Sequence, residues 1–70
     1  MQINMVSDDT RLLLRGTEAA AMIGVSRALM YRWMATGAVP VFRAPSGKSM
    51  RVPRAEFLDW IARNTRPAER

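Results

Sequence analysis

The sequence holds no cysteine and no histidine. Without cysteine, no disulfide can staple the fold. Without both residue types, a structural zinc site lacks its usual ligands. No apolar run approaches the roughly 18 residues that a membrane-spanning helix needs; the longest apolar pieces are residues 12–14 and 19–23. The absence of histidine also removes the commonest general acid–base group. Acids are few: Asp8 and Asp9 fall in a polar lead, and Glu56 and Asp59 sit one helical turn apart in a pattern that reads as solvated. Acid–base catalysis therefore has no constellation to stand on, and no cofactor or metal is implied. Asp8 and Asp9 also occupy the place where a secretory signal needs its apolar segment. A reducing, cytoplasmic setting is expected, consistent with the lack of cysteine.

What is present is a small, basic, apolar-rich chain. Seventy residues allow one domain, and a chain of that size buries only about 60% of its unfolded surface. An apolar content of 49% makes a core feasible by aliphatic and aromatic packing alone. The net charge is +5 and the sequence pI about 11.4. No acid occurs between Glu18 and Glu56, while Arg27, Arg32, Arg43, Lys48, Arg51 and Arg54 all lie in that gap. A basic middle flanked by acids points to a polyanion partner. A charge excess alone is equally compatible with a solvated surface, so the pattern along the chain has to decide.

The organising stretch is residues 24–37. Ser26 is a helix N-cap, since its hydroxyl accepts from a free N–H of the first turn. Gly37 suits the position just past a helix end. Between them, Val25, Met30, Trp33 and Met34 can share an apolar face, with Arg27, Ala28, Tyr31 and Arg32 on the other. Such a helix packs with its back and presents a basic front with one aromatic hydroxyl.

Ahead of it, residues 1–11 read as a loose polar lead. Leu12, Leu13 and Leu14 suggest an extended entry laid across the core. Thr17 can cap a first helix, Glu18 favours its first turn, Ala19, Ala20 and Ala21 propagate it, and Gly24 ends it. Ala20 and Ala21 are small enough for close helix approach. Two helices joined by little more than Gly24 and Val25 match a helix-turn-helix, although a generic helical hairpin has the same periodicity. After Pro40, residues 41–44 and 49–52 read as short strands around the turn signal Pro45-Ser46-Gly47-Lys48. A lone hairpin is marginal in water, so it must lean on the helices through Phe42 or Val41 and Met50 or Val52. Beside a helix-turn-helix it would form a wing. Pro53 suits the first position of a last helix, whose Phe57, Trp60 and Ile61 form an amphipathic stripe with Leu58 adjoining. Core closure is the expected role of that stripe, over a ligand groove. Residues 64–70 read as a frayed tail. The expected fold is mainly α with a small β-hairpin, a winged helix-turn-helix over residues 12–63.

The span 12–64 resembles the excisionase and MerR-like winged helix-turn-helix family. The matching pieces, in order, are Glu18-Ala19-Ala20, Ile23-Gly24-Val25-Ser26-Arg27, Met30-Tyr31-Arg32-Trp33-Met34, Gly37 with Val39-Pro40, and Val52-Pro53-Arg54-Ala55-Glu56-Phe57. No one of these is specific alone; their order and spacing carry the likeness. Two positions depart from it. Arg15 stands where the family commonly starts its first helix with Ser or Thr, which moves the expected cap to Thr17 or weakens it. Leu29 stands where Thr is frequent, and is expected to be partly buried or to touch a thymine methyl.

The resemblance implies a small DNA-binding protein, most closely a phage excisionase (recombination directionality factor) that bends attachment-site DNA and favours integrase-mediated excision. The alternative is a prophage or bacterial transcriptional regulator using the same surface. It implies that residues 26–36 lie in the major groove and that the hairpin reaches an adjoining minor groove or phosphate strand. Copies would bind side by side on double-stranded DNA, with a site-specific integrase as a further partner. MerR-type activators add a long dimerisation helix and an effector domain, which these residues do not contain; the expectation is a stand-alone architectural factor.

On that basis, Arg27 in the first helical turn is the expected base reader, gripping a guanine edge, with a phosphate clamp as its other option. Ala28 lets the helix approach. Tyr31 and Arg32, one turn on, are expected at phosphates, fixing register, and Ser26 marks a helix start whose N–H groups favour phosphate. In the wing, Arg43, Lys48 and Arg51 supply charge, Ser46 and Gly47 keep the tip slim, and Ser49 completes the polar set. Arginine here suits a narrow minor groove. Met50 is expected to pack inward, with wedging between bases as its other option. A protein-interaction module is the competing class, with Tyr31 and Trp33 as its anchors.

Overall fold

The computed structural model describes residues 11–66, in the order β1 (Leu13–Leu14), α1 (Gly16–Ile23), α2 (Arg27–Thr36), β2 (Phe42–Arg43), β3 (Met50–Pro53) and α3 (Arg54–Arg63). The expected loose lead and tail fall mostly outside these residues. Three helices pack with a small antiparallel sheet in the strand order β1-β3-β2, which is a winged helix-turn-helix.

Glycines end both helices of the pair. Gly24 and Gly37 take left-handed φ of 74° and 81°, a region that costs a residue with a Cβ. The Gly24 N–H donates to the Ala20 carbonyl, and the Gly37 N–H to that of Trp33. Ser26 caps α2 as expected, its Oγ accepting from the Leu29 N–H at 3.0 Å. The start of α1 differs from expectation. Thr17 lies inside the helix, and Arg15 is the N-cap. Arginine has no acceptor to offer the helix, so only the return half of a capping box can form: the Glu18 carboxylate accepts from the Arg15 N–H at 2.8 Å. That bond needs an acid three residues on, and no hydroxyl. Glu18 also pairs with the Arg11 guanidinium.

The run 12–14 is more than an entry segment. Leu13 and Leu14 pair with Pro53 and Val52 of β3, and the Arg54 N–H donates to the Leu12 carbonyl at 2.8 Å. The sheet therefore has three strands where the sequence suggested two. Pro53 closes β3 and caps α3, which begins at Arg54. The second pairing sets Phe42 opposite Arg51 and Arg43 opposite Met50. This register decides which wing residues face inward. Val41 and Met50 pack against the core, Val52 is fully buried, and Phe42 stays exposed.

The core gathers residues from five of the six elements and one turn: Leu14 from β1, Ala19 and Ala20 from α1, Met30 and Met34 from α2, Val39 from the following turn, Val52 from β3 and Phe57 from α3. The close-approach alanines are thus Ala19 and Ala20, whereas Ala21 is exposed. Phe57 is completely buried, a burial that contributes about 1.5–3 kcal/mol. Its ring stacks on Trp60 at 5.7 Å, and Trp60 meets Trp33 of α2 tilted at 5.8 Å. The Trp60 indole Nε1–H donates to the Ala38 carbonyl at 2.9 Å, tying α3 to the chain leaving α2. The last turn of α3 is knit by Asn64 and Thr65, whose side chains donate to the Trp60 and Ile61 carbonyls.

Two stability predictions follow from these contacts. Trp60→Phe keeps the ring stack and loses the indole hydrogen bond, so the melting temperature followed by circular dichroism should fall by roughly 5 °C; an unchanged melt would remove the bond from the list of stabilising contacts. The Glu18 carboxyl is held below its ordinary value of 4.5, first by the Arg15 backbone hydrogen bond; burial opposes this, and the Arg11 charge adds to the lowering. Its ionised form is favoured by folding, so the bonus is complete above the ordinary value and disappears as pH falls through the depressed one. Melting temperatures taken between about pH 5 and about pH 3 should drop more steeply for the natural chain than for Glu18→Gln.

Candidate nucleic-acid interface

The outward face of α2 is set by its inward one. With Met30 and Met34 buried, the 3.6-residue period turns Arg27, Ala28, Tyr31 and Arg32 outward, and all four are exposed. Leu29 is half-buried between the faces. Ser26 is exposed at the helix start with its hydroxyl committed to the cap.

The wing stands beside this face. Its turn closes through the Gly47 N–H to the Ala44 carbonyl at 2.8 Å, and the Ala44 N–H donates to the Ser49 carbonyl at 2.9 Å. Ser46, Gly47, Lys48 and Ser49 form an exposed tip, in which the Ser46 Oγ accepts from the Lys48 N–H. Arg43 is exposed on the same side of the hairpin as Met50. Arg51 is half-buried, and its guanidinium folds back to donate to the Met50 carbonyl at 2.9 Å.

Between helix pair and wing lies a polar cleft of about 350 Å³. It brings together Tyr31 with Arg43, Gly47, Lys48, Ser49 and Arg51 from the expected set. Ser26, Arg27, Ala28, Arg32 and Ser46 lie outside its lining. Three further residues line it that sequence reasoning did not place at the site: Arg15, Gly16 and Met50. Met50 packs inward, as expected, and its edge reaches the cleft.

Gly16 has a steric role that no pattern in the sequence reveals. A Cβ built there would lie 2.8 Å from Cε1 and Cζ of Tyr31 and 3.0 Å from the Met34 sulfur. The tyrosine ring thus lies flush against the first turn of α1, and its position depends on the missing side chain. The residue is helical, so space and not backbone conformation is what demands glycine.

The electrostatics of this face are one-sided. Arg15, Arg43, Lys48 and Arg51 line the cleft and no carboxylate does. Among the described residues, the ion pairs are Arg11 with Glu18 and Arg63 with Asp59, away from the cleft. A second cleft, of about 410 Å³ and mainly apolar, lies on the other side of α1 between Leu14, Thr17, Glu18, Ala21 and Met22. Glu18 is turned to that side. No group of side chains among the described residues is placed to hold a metal, and none of their helices is long and apolar enough to cross a membrane.

A capped helix pair with an exposed basic second helix, flanked by a basic hairpin, defines a winged helix-turn-helix domain of the nucleic-acid-binding class. Residues 13–65 match the helix-turn-helix domain family, and since that is well over half of the chain, the protein belongs to this family. The family includes excisionase-like DNA-binding proteins, and membership supports sequence-specific DNA binding. No curated protein and no solved structure matches the chain.

Gly16→Ala tests the geometry of the cleft. Overpacking of this kind destabilises by about 1–3 kcal/mol, and the Tyr31 ring must shift. A lowered melting temperature together with a changed environment for the Tyr31 ring protons in NMR is expected. Unaltered ring shifts would show that the ring does not rest on residue 16.

Proposed function

We propose that this protein is a sequence-specific double-stranded DNA-binding factor of the excisionase type, binding and bending attachment-site DNA to favour integrase-mediated excision. The observation that carries the DNA reading is the exposed α2 face beside a wing whose cleft holds four cations and no acid. The excisionase assignment is supported by the ordered likeness of residues 18–57 to that family, not by any feature that a regulator would lack.

In this reading α2 enters the major groove, with Arg27 in its first turn gripping a guanine edge and Ala28 allowing close approach. Tyr31 and Arg32 meet phosphates and fix register. Arg43, Lys48, Ser49 and Arg51 follow the backbone beside an adjoining minor groove, and the slim Ser46-Gly47 tip approaches it. Copies lie side by side, coupled by small contacts and by the DNA they share, and an integrase acts on the bent site.

About five phosphate contacts give a slope near −4 to −5 for log K against log salt. Arg27→Ala should relax base preference, losing about 1–3 kcal/mol of discrimination, while Arg43→Ala weakens specific and scrambled duplexes alike. Titrations of both variants on both duplexes check this, and equal losses for Arg27→Ala would remove its reading role. Salt-insensitive binding to a protein with none to DNA would favour the interaction-module reading. For the biological role, an excision assay with a cognate integrase is decisive: excision that proceeds equally without this protein sinks the excisionase assignment and leaves the regulator.

A further inference from the structure

We propose that the cleft between α1, α2 and the wing is a seat for one DNA backbone phosphate, gripped jointly by Arg15 from the start of α1 and by Arg43 and Lys48 from the wing. The inference rests on the DNA reading above and adds to it a residue, Arg15, and a shared contact.

Several observations converge on it. Arg15, Arg43 and Lys48 are exposed, line the same space and make no ion pair among the described residues. They gather positive charge around a cleft that no carboxylate lines, a setting that favours an anion. The acid nearest Arg15 in sequence is diverted. Glu18 is held by the Arg15 backbone N–H and by Arg11, and lines the opposite side of α1. The side chain at the cap position is thereby left to face the wing while its own backbone N–H is satisfied. The Tyr31 ring forms one wall, seated on Gly16. Its hydroxyl makes no hydrogen bond among the described residues and supplies a neutral donor for the same anion.

The walls come from elements far apart in the chain, and that gives the seat a role beyond charge. A phosphate held by Arg15 and Arg43 together clamps the wing to the helix pair. It fixes the register of α2 without contacting a base. Guanidinium groups suit this, because they can meet phosphate oxygens through paired N–H donors.

The test uses the full chain and a short duplex enriched from a random pool by its own binding, with affinity read by fluorescence anisotropy over a salt series. Arg15→Gln and Arg43→Gln should each weaken binding by roughly tenfold. Because both act on one phosphate, the double variant should lose clearly less than the product, and the salt slope should fall by about one in total. Neutral methylphosphonate linkages, placed one at a time, should show a single position that weakens the natural chain and leaves the double variant unaffected. Multiplicative losses with a slope change of about two would overturn the shared seat, as would unchanged affinity of Arg15→Gln. An even methylphosphonate profile on the natural chain would overturn it without reliance on any variant. Failure of the pool to yield a bound duplex would instead overturn the DNA reading, and the seat with it.

Discussion

Strand β3 is bonded along both edges, and everything else in the fold depends on that. One edge holds the Leu13–Leu14 strand and the other holds the wing, while its own chain runs directly into α3. Four residues thus fix the entry of the helix pair, the hairpin and the last helix to a common frame. A two-stranded hairpin would be marginal alone. Here Val52, fully buried, anchors it to the core from the middle of the sheet, and the Leu14 and Val52 pairing carries the same anchor across to the start of α1.

The helix side is held by aromatic packing and one directed bond. Phe57, Trp60 and Trp33 run as a chain of rings from α3 to α2, and the indole N–H fixes the chain that leaves α2. For a domain of this size without disulfides, such packing supplies most of what holds α2 at a defined angle to the sheet. Positioning of the exposed face of α2 relative to α3 is therefore a property of the core.

Much of this was legible in the chain because the deciding signals are local. Ser26, Gly24 and Gly37 fix helix ends by their own capping chemistry, and Pro45-Ser46-Gly47 marks a turn whatever surrounds it. Phe57, Trp60 and Ile61 show their face by period alone. What escaped is long-range. A two-residue strand has no periodicity, so the pairing of Leu13 and Leu14 with β3 left no trace. Choosing Val41 over Phe42 as the inward residue needed the register opposite Met50 and Arg51. The cap lies at Arg15 and not at Thr17 because a carboxylate reaches back along the chain, a bond that the position of a hydroxyl does not mark. Gly16 and Arg15 belong to the cleft only because α1, α2 and the wing converge there. The steric value of an absent side chain depends wholly on its neighbours.

The exposed face of α2 is also small in a different sense. In the proposed reading it offers few side chains to bases, and Arg27 in the first turn would discriminate by only about 1–3 kcal/mol. Against the roughly 10⁶–10⁹ competing sites of a genome, that is too little information to mark a single address. A reader with this footprint has to gain its selectivity by summation, through repeated half-turns of contact along the duplex or through the shape of the DNA itself. The compactness that lets one strand organise the whole domain therefore limits how much sequence one copy can recognise.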